Sequence, residues 1–193
     1  MKNQKIRKMT TLSLLIAITV VLQLLGYVLP KIGPFGLSFV LIPIVIGGAV
    51  YGPGAGALLG GAFGIIVCFC SYNGIDPGGF MVWQASPLLC IFVVMTKGIL
   101  AGVSAAFVYR IFKNKNAYFA MVLASAICPI VNTGIFLSGM SLFFMDVLMI
   151  WSNGGNVAGY LLSGIILINF VPELLINLIL TPASHRIVHA VNR

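Results

Sequence analysis

The chain has 193 residues, of which 60% are apolar and 7% are charged, and its net charge is +8. A soluble domain carries about 25% charged residues, so this composition excludes a soluble catalytic domain. Apolar stretches of about 20 residues recur, each long enough to cross a bilayer as a helix, and we predict one membrane-embedded domain, residues 1–193.

Six transmembrane helices are predicted, at residues 9–29, 37–51, 53–70, 87–112, 117–144 and 157–188. The run that starts at Met9 is too long for a signal peptide, and no small-residue cleavage site follows it. We therefore interpret it as a retained first helix. The predicted fold class is an all-α integral membrane protein.

Lysine and arginine are distributed unevenly between the predicted loops. Nine of the eleven fall on the side of the two chain ends, whereas Lys31 falls on the opposite side and Lys97 within the fourth helix. The positive-inside rule assigns the richer side to the cytoplasm. We therefore expect both termini to be cytoplasmic, and we attribute the positive charge to topology and not to nucleic-acid binding.

Four glycines recur at four-residue spacing where the third helix begins: Gly52, Gly56, Gly60 and Gly64. Residues four apart share one helix face, and small residues on a membrane helix allow another backbone to approach closely. The glycine face could pack inside the chain, or it could be the surface on which a partner subunit moves. We favour internal packing.

Two longer segments, 71–86 and 145–156, are expected to be outer loops. The first contains Tyr72, Asn73, Trp83 and Gln84. Such residues are typical of an interfacial aromatic belt with turns, but they could equally cover a small molecule that arrives from outside. Both interpretations remain open.

Lys97 is the most unusual polar residue at membrane depth. It lies ten residues into the fourth helix, or roughly 15 Å from the start of that helix. A lysine near the bilayer centre costs about 2.5–3.5 kcal/mol. Two explanations compete: an internal ion pair with Glu173, or a cation that receives an anionic group of a substrate.

Further polar residues lie at similar depth in the last two helices. Asn132 and Thr133 follow a proline in the fifth helix, and Asn169, Glu173 and Asn177 form a stripe at i, i+4 and i+8 in the sixth. These side chains are either hydrogen-bonding contacts between helices or part of a binding site. Asn169 is the member of the stripe expected to reach an outward cavity.

Catalytic and metal-binding signals are lacking in the sequence. It contains no phosphate-binding loop, metalloprotease or serine-hydrolase motif. The four cysteines fall in or beside apolar runs, and His185 and His189 have no third ligand nearby. We therefore expect no enzymatic activity, no metal and no cofactor.

A resemblance rests on the segments at residues 37–64 and 124–144, the basic N-terminus and the short length of this six-helix chain. The chain resembles the substrate-specificity (S) subunits of energy-coupling factor (ECF) vitamin transporters. The run Ile-Pro-Ile-Val-Ile-Gly-Gly-Ala, the following Gly-Pro and the Asn-Thr pair of the fifth helix look most like pantothenate-type subunits.

This resemblance implies capture of one vitamin from outside and delivery with a membrane coupling (T) subunit and two ATPase subunits. Family members often carry Ala-x-x-x-Ala on the first helix as a docking surface. Ser13 and Ala17 stand at those positions here. The ligand implied best is pantothenate, whose carboxylate suits Lys97.

The expected binding residues are Lys97, Asn132, Thr133, Asn169, Tyr72, Asn73, Trp83 and Gln84. An S subunit for riboflavin, folate or cobalamin is an alternative, since these share the scaffold. A stand-alone secondary transporter is another, although the chain has no internal repeat and only one deep acidic residue. A membrane-embedded enzyme would need a nucleophile–base pair or a metal cluster.

Overall fold

A computed structural model describes residues 2–28 and 39–191, and these residues form helices and short connections without any strand. The helices are α1 (Lys2–Val28), α2 (Leu41–Tyr51), α3 (Pro53–Tyr72), α4 (Pro77–Ala85), α5 (Pro87–Phe112), α6 (Ala117–Phe143), α7 (Met145–Trp151), α8 (Val157–Tyr160), a π-helical segment (Leu161–Phe170), α9 (Val171–Ile179) and α10 (Thr181–Val191).

Five helical stretches are long and apolar enough to cross a membrane: Lys5–Tyr27, Pro53–Tyr72, Pro87–Phe112, Ala117–Phe143 and Val157–Ile179. The predicted all-α fold is therefore confirmed for the described residues, and the five stretches are consistent with a membrane protein. The shorter apolar helix α2 was predicted as a further span, and its predicted start and Lys31 lie outside the described residues. Six spans and cytoplasmic termini stay predictions.

Helices α3 and α5 pack against each other at backbone distance. A Cβ atom on Gly56 would overlap the carbonyl group of Gly102, and one on Gly60 would overlap the carbonyl group of Gly98. The reverse substitutions, on the two glycines of α5, meet the same obstruction. Three glycines of the predicted face, including Gly64 against Met95, thus pack internally, whereas Gly52 serves the turn between α2 and α3 with φ +88°.

The two segments predicted as outer loops contain helices, which corrects the prediction. Residues 77–85 form α4 and residues 145–151 form α7. Pro77 occupies the first turn of α4, where its missing N–H would have no partner in any helix. Neither segment has the long apolar run on which prediction of a membrane helix depends.

The predicted sixth helix, residues 157–188, is not continuous. A π-helical segment occupies residues 161–170, and the helix is interrupted at Leu180 before α10 begins. Pro182 lies in the first turn of α10, and a proline there cannot donate the hydrogen bond that would continue the preceding helix. Pro129, in contrast, lies inside α6, and Pro172 lies in the first turn of α9, which follows the π-helical segment directly.

Candidate functional site: a polar cavity between the helices

A polar cavity of about 100 Å³ lies where the long helices meet α4 and α7. Every long helix contributes to it, as does α9. The polar and aromatic lining residues are Gln23, Tyr27, Phe63, Ser71, Asp76, Lys97, Asn132, Thr133, Phe136, Trp151, Asn169 and Glu173.

Among the described residues, Lys97 presents the one ammonium group of the cavity lining. Its Nζ atom lies 4.7 Å from the ring centre of Phe136 on α6 and 5.6 Å from that of Phe63 on α3. A cation within about 6 Å of a ring face is attracted by the ring quadrupole. The two rings therefore hold the ammonium group between α3 and α6, at the cavity wall.

Two buried side-chain oxygens of the lining have no hydrogen-bond partner in the described part of the chain. They are Oδ1 of Asn132 on α6 and Oγ of Ser71 at the end of α3. Asn132 is 6% exposed and Ser71 is fully buried. Because an unsatisfied buried polar group costs about 1–3 kcal/mol, these atoms are suited to hydrogen bonds with a ligand.

Carboxylates also border the cavity. Asp76, just before α4, accepts a long hydrogen bond of 3.5 Å from the hydroxyl of Tyr27 on α1. Glu173 on α9 is 3% exposed, and its backbone carbonyl accepts a hydrogen bond of 2.8 Å from the amide nitrogen of Asn177. The cavity thus combines a cation, two carboxylates and neutral hydrogen-bonding groups, a set that suits a small polar molecule.

Helices α4 and α7 cover the cavity, and we call this pair the cap. Trp151, at the end of α7, lines the cavity and donates from Nε1 to the sulfur of Met81 on α4 at 3.3 Å. Gly79 lets α4 approach α3, because a Cβ there would overlap Oγ of Ser71. The cap is therefore fastened across its two helices and packed onto the site.

Four of the eight predicted binding residues meet in this cavity: Lys97, Asn132, Thr133 and Asn169. The other four lie outside its lining. The ring of Tyr72 packs edge-on against that of Trp83 at 5.6 Å, Asn73 donates to the Phe69 carbonyl, and Gln84 is exposed. Glu173, the ion-pair partner in one of the two explanations for Lys97, lines the same cavity.

Several lining residues were not predicted from the sequence. Gln23 and Tyr27 belong to α1, where polar residues near a helix end are usual and give no signal. Asp76 lies in the segment 71–86 and Trp151 in the segment 145–156, both of which were predicted as outer loops. These residues share one feature, a polar group next to a membrane helix. That feature indicates a binding site only after the fold brings the segments together.

Ser13 and Ala17, the predicted docking residues, are both exposed on α1. Large apolar side chains on the same helix are exposed as well, including Leu14 at 60% and Val21 at 54%. A membrane helix with an open apolar face contacts lipid or another membrane protein. The placement is compatible with docking and does not test it.

The fold and the cavity are those of a helical membrane protein with a polar cavity between its helices. Residues 7–184 match the family described as ECF transporter, substrate-specific component. The chain therefore belongs to this family, whose members are transport components and not enzymes. It is also 30% identical, over 95% of its length and 94% of the relative's, to the "Pantothenic acid transporter PanT" of Lactococcus lactis subsp. cremoris (strain MG1363). No solved structure matches the chain.

Proposed function

We propose that this chain is a vitamin-binding S subunit that captures pantothenate from outside the cell and delivers it with a T subunit and two ATPase subunits. The observation that carries the proposal is the polar cavity, in which Lys97 and the unpaired oxygens of Asn132 and Ser71 meet. The 30% identity to a pantothenic acid transporter supports the choice of ligand.

Lys97 is proposed to bind the carboxylate of the vitamin. An ammonium group in a site of low dielectric attracts a carboxylate more strongly than it would in water. The rings of Phe63 and Phe136 hold this ammonium group in place before the ligand arrives. Such preorganisation lowers the entropy that binding costs.

The amide and hydroxyl groups of pantothenate are proposed to bind the remaining polar groups. Asn132 and Ser71 offer oxygens that accept hydrogen bonds, and Asp76 offers a carboxylate at the cap. Thr133 and Asn169 border the same space. A ligand with one anionic end and several hydrogen-bond donors matches this distribution.

The cap is proposed to open for ligand entry. The cavity of about 100 Å³ is smaller than the roughly 300–1,000 Å³ typical of ligand pockets. A vitamin-sized molecule therefore requires the cap to move outward, with separation of Trp151 from Met81. Trp83 of α4, whose ring packs against that of Tyr72 at the end of α3, is proposed to move with the cap.

The proposed topology has six spans with both termini in the cytoplasm. Helix α2 supports the additional span because it is apolar and mostly buried among its neighbours. The basic residues near both chain ends and in the connection between α5 and α6 favour the cytoplasm for that side. Ser13 and Ala17 are proposed to face the T subunit.

Equilibrium binding to the purified full-length protein tests the proposed ligand. Labelled pantothenate is titrated in detergent, and unlabelled pantothenate, riboflavin, folate and cobalamin are added as competitors. We expect saturable binding that pantothenate alone displaces. Displacement by one of the other vitamins, or no saturable binding at all, would contradict the assignment.

Co-purification from the native membrane distinguishes an S subunit from a stand-alone transporter. An S subunit should bring ATPase subunits with it, whereas a stand-alone transporter should bring none.

A further inference from the structure

A second group of polar side chains lies at the far end of α5, beyond the substrate cavity. Two adjoining cavities of about 280 and 270 Å³ open there, and both are lined by Tyr109 and Lys113. His185 and His189 of α10 line the first, and Arg110 lines the second. We call these two spaces together the basic cavity.

The histidines are held at this cavity by ring packing. The rings of His185 and His189 stack with their planes 8° apart and their centres at 6.4 Å. The ring of Tyr118 on α6 packs edge-on against His185 at 5.5 Å. The two imidazoles therefore stay at the wall between α5, α6 and α10, where their N–H groups are available to an anion.

No Asp or Glu side chain accompanies the positive charge of the basic cavity in the described part of the chain. Asp76 and Glu173 line the substrate cavity instead, and Asp146 lies in the first turn of α7. Because none of the described carboxylates lines the cavity with lysine and arginine, the site attracts an anion from its surroundings.

Apolar side chains beside the basic cavity suit the acyl chains of a lipid. Large exposed apolar residues lie within two turns of the lining residues on each of the three helices: Phe107, Ile111, Tyr118, Phe119 and Ile187. A pocket that joins basic groups to an apolar surface at the end of membrane helices is typical of sites for anionic lipid headgroups. A soluble anion would gain nothing from the apolar part.

We propose that the basic cavity binds the phosphate group of an anionic phospholipid. Lys113 and Arg110 neutralise the phosphate charge, and the N–H groups of His185 and His189 donate hydrogen bonds to its oxygens. The acyl chains lie along the exposed apolar residues of α5 and α6. The bound lipid joins α10 to α5 and α6 at this end of the protein.

Native mass spectrometry of the full-length protein tests this proposal. Protein in detergent is titrated with phosphatidylglycerol or phosphatidylcholine of matched acyl chains. We expect phosphatidylglycerol to bind at least about fivefold more tightly. Lys113→Gln and His189→Gln should each remove most of this preference, whereas Lys115→Gln and Arg186→Gln, exposed residues outside the lining, should retain it. Folding of each variant is checked by size-exclusion chromatography, in which a folded variant elutes as a single symmetric peak.

Each remaining outcome overturns the proposal. Equal binding of the two lipids would show that the cavity does not select an anionic headgroup. An equal loss of preference in all four variants would indicate attraction by total charge and not by this site. Displacement of phosphatidylglycerol by millimolar inorganic phosphate would show that the site takes free phosphate and that the apolar residues contribute nothing.

Discussion

Gly60 of α3 and Gly98 of α5 face each other across a backbone contact, and a Cβ on either residue would overlap the carbonyl group of the other. Lys97 precedes Gly98 in the chain. The contact therefore fixes the turn of α5 that carries the Lys97 ammonium group. The glycines of α3 thus affect the cavity indirectly, because they set the position of α5.

Substitution of Gly60 by alanine should destabilise the protein. The added methyl group would push α3 away from α5, and overpacking of this kind costs about 1–3 kcal/mol. We expect a lower Tm in detergent and weaker ligand binding. Gly54→Ala is the matched control, since a Cβ there meets no atom within 4 Å. An unchanged Tm with normal binding but lost uptake would instead indicate a face that contacts a partner subunit.

Asn132→Leu should separate stability from binding. Removal of a buried oxygen without a hydrogen-bond partner relieves a cost in the ligand-free protein, so its Tm should stay level or rise. Affinity for the ligand should fall about 5- to 10-fold, the equivalent of one hydrogen bond. Thermal unfolding with and without pantothenate measures both effects.

Asn177→Leu is the contrasting variant for that experiment. Asn177 is equally buried, but its amide already donates to the Glu173 carbonyl. Its loss should lower the Tm of the ligand-free protein. A similar change in Tm for both variants would contradict the assignment of Asn132 to the ligand.

Trp151 should report on ligand binding by its fluorescence. The chain has two tryptophans, of which Trp151 lines the cavity and Trp83 does not. We expect pantothenate to change the emission strongly in wild type and in Trp83→Phe, and only weakly in Trp151→Phe, because Trp83 lies on the cap but outside the cavity lining. Trp151→Phe also loses the hydrogen bond to Met81, so bound ligand should dissociate a few-fold faster. An equally large signal in Trp151→Phe would place the ligand elsewhere.

Ala17→Leu should impair transport without loss of binding. Ala17 is exposed on α1, so a larger side chain fits the isolated subunit but obstructs close approach of a partner helix. Uptake in cells and co-purification of the T subunit should both fall. Leu58→Trp, on the exposed side of α3, serves as the control. Equal uptake in the two variants would exclude Ala17 from the docking surface.

Hydropathy predicted α3, α5 and α6 closely, because each is a continuous apolar run. Helix α1 begins at Lys2 and not at the predicted Met9, since its first turns are polar and basic. The bounds of α5 agree at both ends, and those of α6 differ by one residue. Helices α4 and α7 were missed since they are short and mix apolar residues with glycine or polar groups. The interruption at Leu180 depends on Pro182, which composition alone did not distinguish from Pro129 inside α6 and Pro172 in the first turn of α9.

Site residues could be predicted from the sequence where a polar side chain lies inside an apolar helix, because its burial in a bilayer costs free energy. Lys97, Asn132 and Asn169 stand out because they lie within apolar helices, and the structure brings them to one cavity. Asp76 and Gln23 lie near helix ends, where polar residues are ordinary. Asp76 and Gln23 line the cavity because α1 and the cap pack near α3. No local sequence pattern predicts that packing.

The role of Lys97 can be separated from an ion pair with Glu173 by a double substitution. If the two residues stabilise each other, Lys97→Met and Glu173→Gln should each lower the Tm, and the double variant should recover part of the loss. If Lys97 serves the ligand, the double variant should still fail to bind pantothenate. Recovery of binding in the double variant would contradict that role.

The most direct test compares pantothenate with panthenol, its analogue with an alcohol in place of the carboxylate. Equilibrium binding of each is measured on purified wild type and on Lys97→Met. Wild type should prefer pantothenate by about 10- to 100-fold, the equivalent of a charge-assisted contact, and Lys97→Met should bind the two alike. An unchanged preference in Lys97→Met would contradict the proposed contact between Lys97 and the carboxylate.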